Sequence, residues 1–370
     1  MRIAFIDTAF PINNRTLKFV NTCNRFFDIM VIAWNRKNEH ISNYDNYRIL
    51  NCKAEYGNKL KKFFKIFKFI KHIYSILKSE KIEIIFASHW DSLLCAIIAT
   101  LFLKNKYKIV YDCLDLPTAK NYFLVKILRF LESRCLKRVN SVIFASRYFP
   151  GLYKSKPRYM IFENYPSIKI ISEFNKPDWY DKFKNEVSNS TVISWIGVVR
   201  YKEIILNIMQ AIQNMDFDCK LCIFGDGPDL NFVLEKSKEL NLTNKILFFG
   251  RYSQKEIKYI YEITDIVWAA YPTNDYNVVY AISNKYFEAS LFGRVIAISK
   301  KAKMCNRLKK FTHSSILVDE YSAEDIAYNI KRYKNYIKKY NYEKYEEGIF
   351  WEDVDNKVIK ELKFIGADLE

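Results

Sequence analysis

The 370-residue chain holds only nine glycines and eight prolines. Such scarcity excludes collagen-like, low-complexity and long flexible-linker compositions. Long apolar runs are also missing. The longest, "LLCAIIATLFL" at 93–103, is about half of the ~20 residues that a membrane-spanning helix needs. No transmembrane helix is expected. Met1-Arg2 leads straight into the strand-like "IAFID", which predicts no signal peptide and a cytoplasmic chain. The four histidines and eight scattered cysteines suggest neither a metal site nor a disulfide framework. Only "CKLC" (Cys219, Cys222) has C-x-x-C spacing, and in a strand-like run those two positions face opposite ways. Buried thiols in a reducing compartment are expected.

Acidic residues are scarce in one half alone. Residues 1–165 carry 29 Lys+Arg against 12 Asp+Glu, a balance of +17, whereas residues 166–370 carry 30 against 29. A basic half of this kind suits a polyanion: nucleic acid, an anionic membrane or a phosphorylated substrate. No helix-turn-helix, zinc or aromatic RNA-platform pattern accompanies it, so nucleic acid is not the expected partner.

What the chain does contain is alternation. Apolar strand-like runs ("RIAFID", "DIMVIAW", "IEIIFAS", "YKIVYD", "SVIFAS", "YMIFEN") alternate with helical patterns at 15–27, 58–78, 92–102 and 122–137. After a more polar stretch at 167–189 a second series follows: "TVISWIG", "CKLCIFG", "KILFFG", "DIVWAAY", "RVIAIS" and "SSILVD", with helices between them. Strands apolar on both faces, separated by helices, predict parallel sheets covered on both sides. The expected class is α/β, with two Rossmann-like doubly wound domains. The expected boundaries are 1–166, a linker at 167–189, 190–345, and a terminal helix at 346–370 crossing back to the first domain. Ligands of such sheets bind beyond the carboxyl ends of the strands, so the candidate site residues belong to the loops there.

Three stretches stand out. Residues 59–78, "KLKKFFKIFKFIKHIYSILK", place Leu60, Phe63, Phe64, Phe67, Ile70, Tyr74 and Leu77 on one helical stripe. Lys61, Lys65, Lys68 and His72 follow the opposite face, flanked by Lys62 and Lys71. The pattern suits an interfacial helix on anionic lipid, and equally a sheet-covering helix with a solvated basic face. In "SWIGVVRYKEIILNIMQAI", Gly197 permits close backbone approach to a ligand, and Arg200 and Lys202 fall just before a helix, where cations clamp phosphate. In "SNKYFEASLFG" at 283–293, Lys285 and Glu288 lie three apart and share one helix face, as a surface ion pair or as part of a site.

The order and spacing of Gly197/Arg200/Lys202, "GDGP", "LFFGRYSQKEIKYIYEITDIVWAAY" and "SNKYFEASLFGRVIAIS" resemble the C-terminal half of family-4 retaining glycosyltransferases of the GT-B fold. "PINNRTLKF", "ASHWD", "VYDCLDLP", "FENYPS" and the terminal "FWEDVDNKVIKEL" extend the resemblance loosely over the rest, nearest to members that build bacterial surface polysaccharides. The resemblance implies two domains facing each other across a cleft, the second binding a nucleotide-diphosphate sugar without a metal or other cofactor. It implies that Arg200 and Lys202 neutralise the diphosphate and that Glu288 accepts hydrogen bonds from ribose. Ala281, Ile282 and Ser283 would face the phosphates near Lys285, and Arg251 and Tyr252 would lie by the base. His89 or Asp115 would act on the acceptor side, where Leu114 stands in place of a common histidine. Arg15 would contact acceptor phosphate or cap a helix. Tyr280 replaces the glutamate that relatives often carry eight positions before Glu288. The implied reaction moves a sugar, with retention, to a glycan or polyprenyl-diphosphate-linked acceptor, on the inner face of the plasma membrane. A nucleotide-sugar epimerase of the same fold and a non-catalytic membrane-associated assembly partner are the alternatives. Glu288→Ala and Lys202→Ala are expected to abolish transfer and to leave the fold intact.

Overall fold

The computed structural model describes residues 1–36, 45–53, 59–119 and 121–367, and of 59–64 the backbone alone. The chain forms two compact units, Met1–Asn164 together with Val354–Glu370, and Tyr165–Asp353.

The first unit is built on strands β1 (Arg2–Asp7), β2 (Asp28–Asn35), β3 (Tyr47–Asn51), β4 (Ile84–Ser88), β5 (Lys108–Cys113), β6 (Ser141–Phe144) and β7 (Arg158–Ile161). They make one parallel sheet in the order β3-β2-β1-β4-β5-β6-β7. The central strands are buried almost throughout, because helices cover both faces and each position must be apolar. Of the edge strands, β3 is half-exposed and β7 mostly exposed. Strand β3, "YRILN", interrupts its apolar residues with Arg48 and Asn51 and so lacks a continuous apolar run.

The second unit holds β8 (Thr191–Ile196), β9 (Cys219–Phe224), β10 (Ile246–Gly250), β11 (Ile266–Trp268), β12 (Val295–Ser299) and β13 (Ser315–Val318). These form a second parallel sheet, ordered β10-β9-β8-β11-β12-β13. Helix Lys202–Gln213 packs Ile204, Ile205, Ile208, Met209 and Ile212 into a core shared with Ile193, Trp195 and Leu221. The α/β, doubly wound reading of both halves therefore holds. Cys219 and Cys222 are both buried in β9, and burial pushes the Cys219 thiol up to about 12.

Several local expectations need correction. The polar stretch at 167–189 holds two short helices, Lys169–Ser172 and Tyr180–Glu186. Trp179 and Phe183 pack on Phe224 and Phe249, at ring distances of 5.5 Å and 4.9 Å respectively. Aromatic burial orders this segment despite its polar composition. The terminal helix is broken into Trp351–Val354 and Asn356–Ala367. Its second piece is pinned within the first unit by Glu361, which accepts from Ser141 Oγ at 2.7 Å and Arg158 Nε at 2.8 Å.

The basic helix spans Lys59–Ser79, but its buried stripe is Phe69, Ile70, Ile73, Ile76 and Leu77. Phe67 is 52% exposed, and His72, expected on the polar face, is half-buried with Nε2 at 3.2 Å from Arg48 O. The apolar periodicity of this helix fits more than one stripe, and packing chose another. Leu60, Lys61, Lys62, Phe63 and Phe64 lie outside the residues with described side chains. Among the described residues, no helix is long and apolar enough to cross a membrane.

Candidate functional site

In the second unit three strand ends are tied together by backbone hydrogen bonds. Gly197 N donates to Phe224 O, Val199 N to Asp226 O and Gly225 N to Gly250 O, at 2.7–3.0 Å. This crowding dictates glycine. Gly225 has φ +146°, and a Cβ there would lie 1.8 Å from Gly197 O; at Gly227 it would lie 2.3 Å from Val199 O. Gly225→Ala is therefore expected to cost about 3 kcal/mol in urea denaturation, through overpacking and backbone strain together. Gly151→Ala, where the added Cβ meets nothing within 4 Å, is the control and is expected to shift stability by about 0.5 kcal/mol or less.

These turns open onto a cavity of about 660 Å³ lined by Gly197, Val198, Gly225, Asp226, Gly227, Arg251 and Tyr252. Arg251 Nε donates to Asp226 Oδ2 at 3.0 Å, and its side chain is 85% exposed. That bond, with the Gly227 amide, holds the Asp226 carboxyl below its ordinary range. Tyr252, next in sequence, lies within electrostatic reach of Lys285.

Lys285 and Glu288 face each other on helix Asn284–Leu291. Lys285 Nζ lies 2.6 Å from Glu288 Oε2, and both side chains are nearly buried, at 10% and 11% exposure. Of the two readings, the surface ion pair is excluded, because the pair is buried. Tyr261 Oη donates to the same Oε2 at 2.7 Å. Glu288 Oε1 takes no hydrogen bond from the described residues. Burial pulls the Lys285 ammonium down, but Glu288, Tyr252 and Tyr271 outweigh it and hold the group above the ordinary lysine value. A consequence is that Glu288→Ala cannot leave the fold untouched, because it strands a buried cation.

Arg200 and Lys202 stand on the other side of the Gly197 turn, both exposed. Lys202 is the first residue of its helix rather than one before it, since Tyr201 is the N-cap, in the left-handed region at φ +69°. A tyrosine held in that conformation is strained, a condition that clusters at functional sites. Arg200 lies over the Tyr201 ring at 4.8 Å and Lys202 over Phe232 at 5.0 Å; neither makes an ion pair among the described residues. Two uncompensated cations beside a glycine turn can hold an anion of high charge. Ser283 caps helix Asn284–Leu291 by accepting from Lys285 N, with Ala281 and buried Ile282 just before it.

Sequence reading missed Tyr271, Tyr261 and the Asp226–Arg251 pair. Tyr271 is half-buried and lies within electrostatic reach of both Lys285 and Arg200, so it stands between the two cationic groups. Its place just beyond β11 is the signal that the strand-end rule offered. Tyr280 ends the short helix Tyr276–Tyr280 with Lys303 Nζ 5.5 Å from its ring.

The first unit has its own polar cluster at the strand ends. Ser88 of β4 pairs in register with Asp112 of β5. His89 follows directly in the left-handed conformation, φ +66°, its Nε2 3.4 Å from Asn13 Nδ2. Asp115 follows β5, and both it and His89 lie within electrostatic reach of Asp112. Arg15 does not face solvent. Its side chain is 1% exposed, paired with Asp112 at 3.0 Å and donating to Phe162 O at 2.6 Å. Neither of the roles expected for it is open: Asn13 caps the helix, and phosphate cannot reach a guanidinium packed under Phe19 and Phe162.

Residues 178–345 match the family described as glycosyl transferases group 1. The match lies within the second unit, and the glycine turns, Arg200, Lys202, Arg251, Tyr252, Lys285 and Glu288 all fall within it. Sucrose-phosphate synthase from Thermosynechococcus elongatus shares the fold at a TM-score of 0.77, with 13% identity over 100% of both chains. Alr3699/HepE from Anabaena, solved with UDP and glucose, superposes at 0.71, with 13% identity over 98% of this chain and 99% of that one. The α,α-trehalose 6-phosphate synthase from Burkholderia multivorans gives 0.71, with 10% identity over 100% of both. At these identities the likeness shows the fold: two Rossmann-like domains of the GT-B type. Among the curated proteins, none is similar enough in sequence to count as a relative. Among the described residues, no group of three or more His, Cys, Asp or Glu side chains is placed to hold a metal.

Proposed function

We propose that the chain is a metal-independent, retaining glycosyltransferase that moves a sugar from a nucleoside-diphosphate sugar to a lipid-linked glycan acceptor in surface-polysaccharide synthesis. The observation that carries this reading is the pair of exposed, uncompensated cations, Arg200 and Lys202, at the glycine turn that opens on the cavity. The group 1 domain over the same residues supports it, as does a neighbour of like fold solved with UDP and glucose.

Chemically, glycosyl transfer leaves an oxocarbenium-like sugar and a departing diphosphate. Fixed cations that meet the developing negative charge lower the barrier without protein reorganisation. Arg200 and Lys202 serve this role, so the leaving group needs no metal. Glu288 Oε1 accepts from the ribose hydroxyls, with its carboxylate held in place by Lys285 and Tyr261. Arg251 and Tyr252 line the space for the base. His89 and Asp115 serve the acceptor, whose phosphates the basic first half attracts. The chain works at the inner face of the plasma membrane, its basic helix Lys59–Ser79 contributing to attraction by anionic lipid.

Thermal unfolding in the presence of a nucleotide-sugar panel tests the donor site. At least one donor at about a hundredfold excess over its Kd is expected to raise Tm by about 5 °C. A flat response to the whole panel would remove the donor assignment.

A further inference from the structure

Helix Tyr122–Cys135 of the first unit is apolar on both sides. Its inner side is ordinary: Glu132 and Cys135 are buried, and Val125 and Leu128 are half-buried. Its outer side carries Tyr122, Phe123, Leu124, Ile127, Phe130 and Leu131, all exposed, with Phe123 at 68% and Phe130 at 59%. A helix that only covers a sheet turns polar residues outward, and one apolar all round is covered by something else. The basic helix shows the contrast: where its side chains are described, Lys68, Lys71 and Lys78 are exposed.

Charge identifies what covers it. Lys126 and Arg134 stand among the aromatics, Lys126 Nζ 4.7 Å from the Tyr122 ring and the Arg134 guanidinium 5.5 Å from that of Phe130. Lys137 and Arg138, exposed, continue the basic run. The one acid of this helix, Glu132, is 2% exposed and accepts from Tyr111 and Tyr153, so it contributes no negative charge to the outer face. The helix packs beside His89–Thr100, which packs beside Lys59–Ser79, so the lysines of the basic helix belong to the same layer. Exposed aromatics interleaved with cations, with no exposed acid between them, match the interface of an anionic bilayer, where rings lie at headgroup depth and cations meet phosphate.

We infer that the outer face of helix Tyr122–Cys135 is the surface by which this chain seats on an anionic lipid bilayer, its aromatic residues entering the interface and Lys126 and Arg134 binding lipid phosphates. The inference rests on the membrane reading proposed above and moves the seat from the basic helix to this one, with the basic helix adding longer-range attraction. The helix is about 21 Å long and begins just after the loop that carries Asp115, so a lipid-linked acceptor would arrive beside the acceptor-side strand ends.

Vesicle flotation of the full chain tests this, with phosphatidylcholine alone and phosphatidylcholine mixed with phosphatidylglycerol. Wild type is expected to float with the mixed vesicles only. Phe123→Ser/Ile127→Ser/Phe130→Ser, and separately Lys126→Glu/Arg134→Glu, are each expected to lower the bound fraction by about tenfold. Lys68→Glu/Lys71→Glu is expected to lower it less. Each variant should keep the wild-type response to nucleotide sugars, which shows that the chain is folded and separates this test from the transferase reading. Wild-type binding by both helix 122–135 variants would overturn the inference and leave the membrane reading standing. Failure of wild type to float would overturn both. Dimerisation in light scattering that the serine variant abolishes, without vesicle binding, would assign the face to a second copy and overturn the lipid inference.

Discussion

Replacing Glu288 by alanine is expected to lower Tm by about 10 °C and to abolish donor binding. Both effects follow from one geometry. Glu288 Oε2 is the partner of a nearly buried ammonium at 2.6 Å and of a buried tyrosine hydroxyl at 2.7 Å. Removing one partner of a buried pair costs about 3–5 kcal/mol, because the remaining charge is uncompensated. For a unit of this size that corresponds to about 10 °C. Glu288→Gln separates the two roles. It keeps an oxygen that accepts from Lys285 and Tyr261 but loses the charge that balances the ammonium, so it is expected to recover only part of the lost Tm. Its weaker acceptor toward ribose is expected to raise the KM for the donor about tenfold, equivalent to 1.4 kcal/mol. Differential scanning fluorimetry and steady-state kinetics on the two variants read these numbers. A glutamine variant with wild-type KM would make Glu288 a structural residue only.

The second large effect belongs to Arg200 and Lys202, and here fold and function separate cleanly. Both are exposed and neither makes an ion pair among the described residues, so alanine at either is expected to change stability by about 0.5 kcal/mol or less. On the proposed function each substitution removes a fixed positive charge that would meet the developing diphosphate, and each is expected to lower kcat by about 10²–10³. The effect should fall on kcat more than on KM, because the charge they meet grows toward the transition state. Lys202→Arg, which keeps the charge, is expected to retain more activity than Lys202→Ala. Equal losses in kcat and in Tm would indicate a folding defect instead.

The parts of the molecule legible in the sequence are those that obey short-range rules. Continuous apolar runs located β1, β2, β4, β8 and β9, because strands covered on both faces leave no choice of residue type. The half-exposed edge strand β3 lacks that signature. Helix Lys59–Ser79 was located, yet its buried stripe was not, since its apolar residues spread over more than one stripe and leave the rotation to tertiary packing. The Gly197 turn, Arg200, Lys202 and the Lys285–Glu288 spacing were visible as motifs. Long-range partners were not: Tyr261 reaches Glu288 through the fold, and Arg15 reaches Asp112 across 97 positions. Arg15 shows the limit well, because its residue type fits a phosphate ligand and a buried ion pair equally.

Mass spectrometry of reactions containing a nucleotide-sugar panel and polyprenyl-diphosphate-linked acceptors tests the central claim most directly. Wild-type protein is expected to add the mass of one sugar residue to the acceptor and to release nucleoside diphosphate in equal amount, without added metal. Lys202→Ala, folded as wild type, is expected to give neither within the same time. An unchanged acceptor with every donor, or transfer by Lys202→Ala at the wild-type rate, would contradict the account.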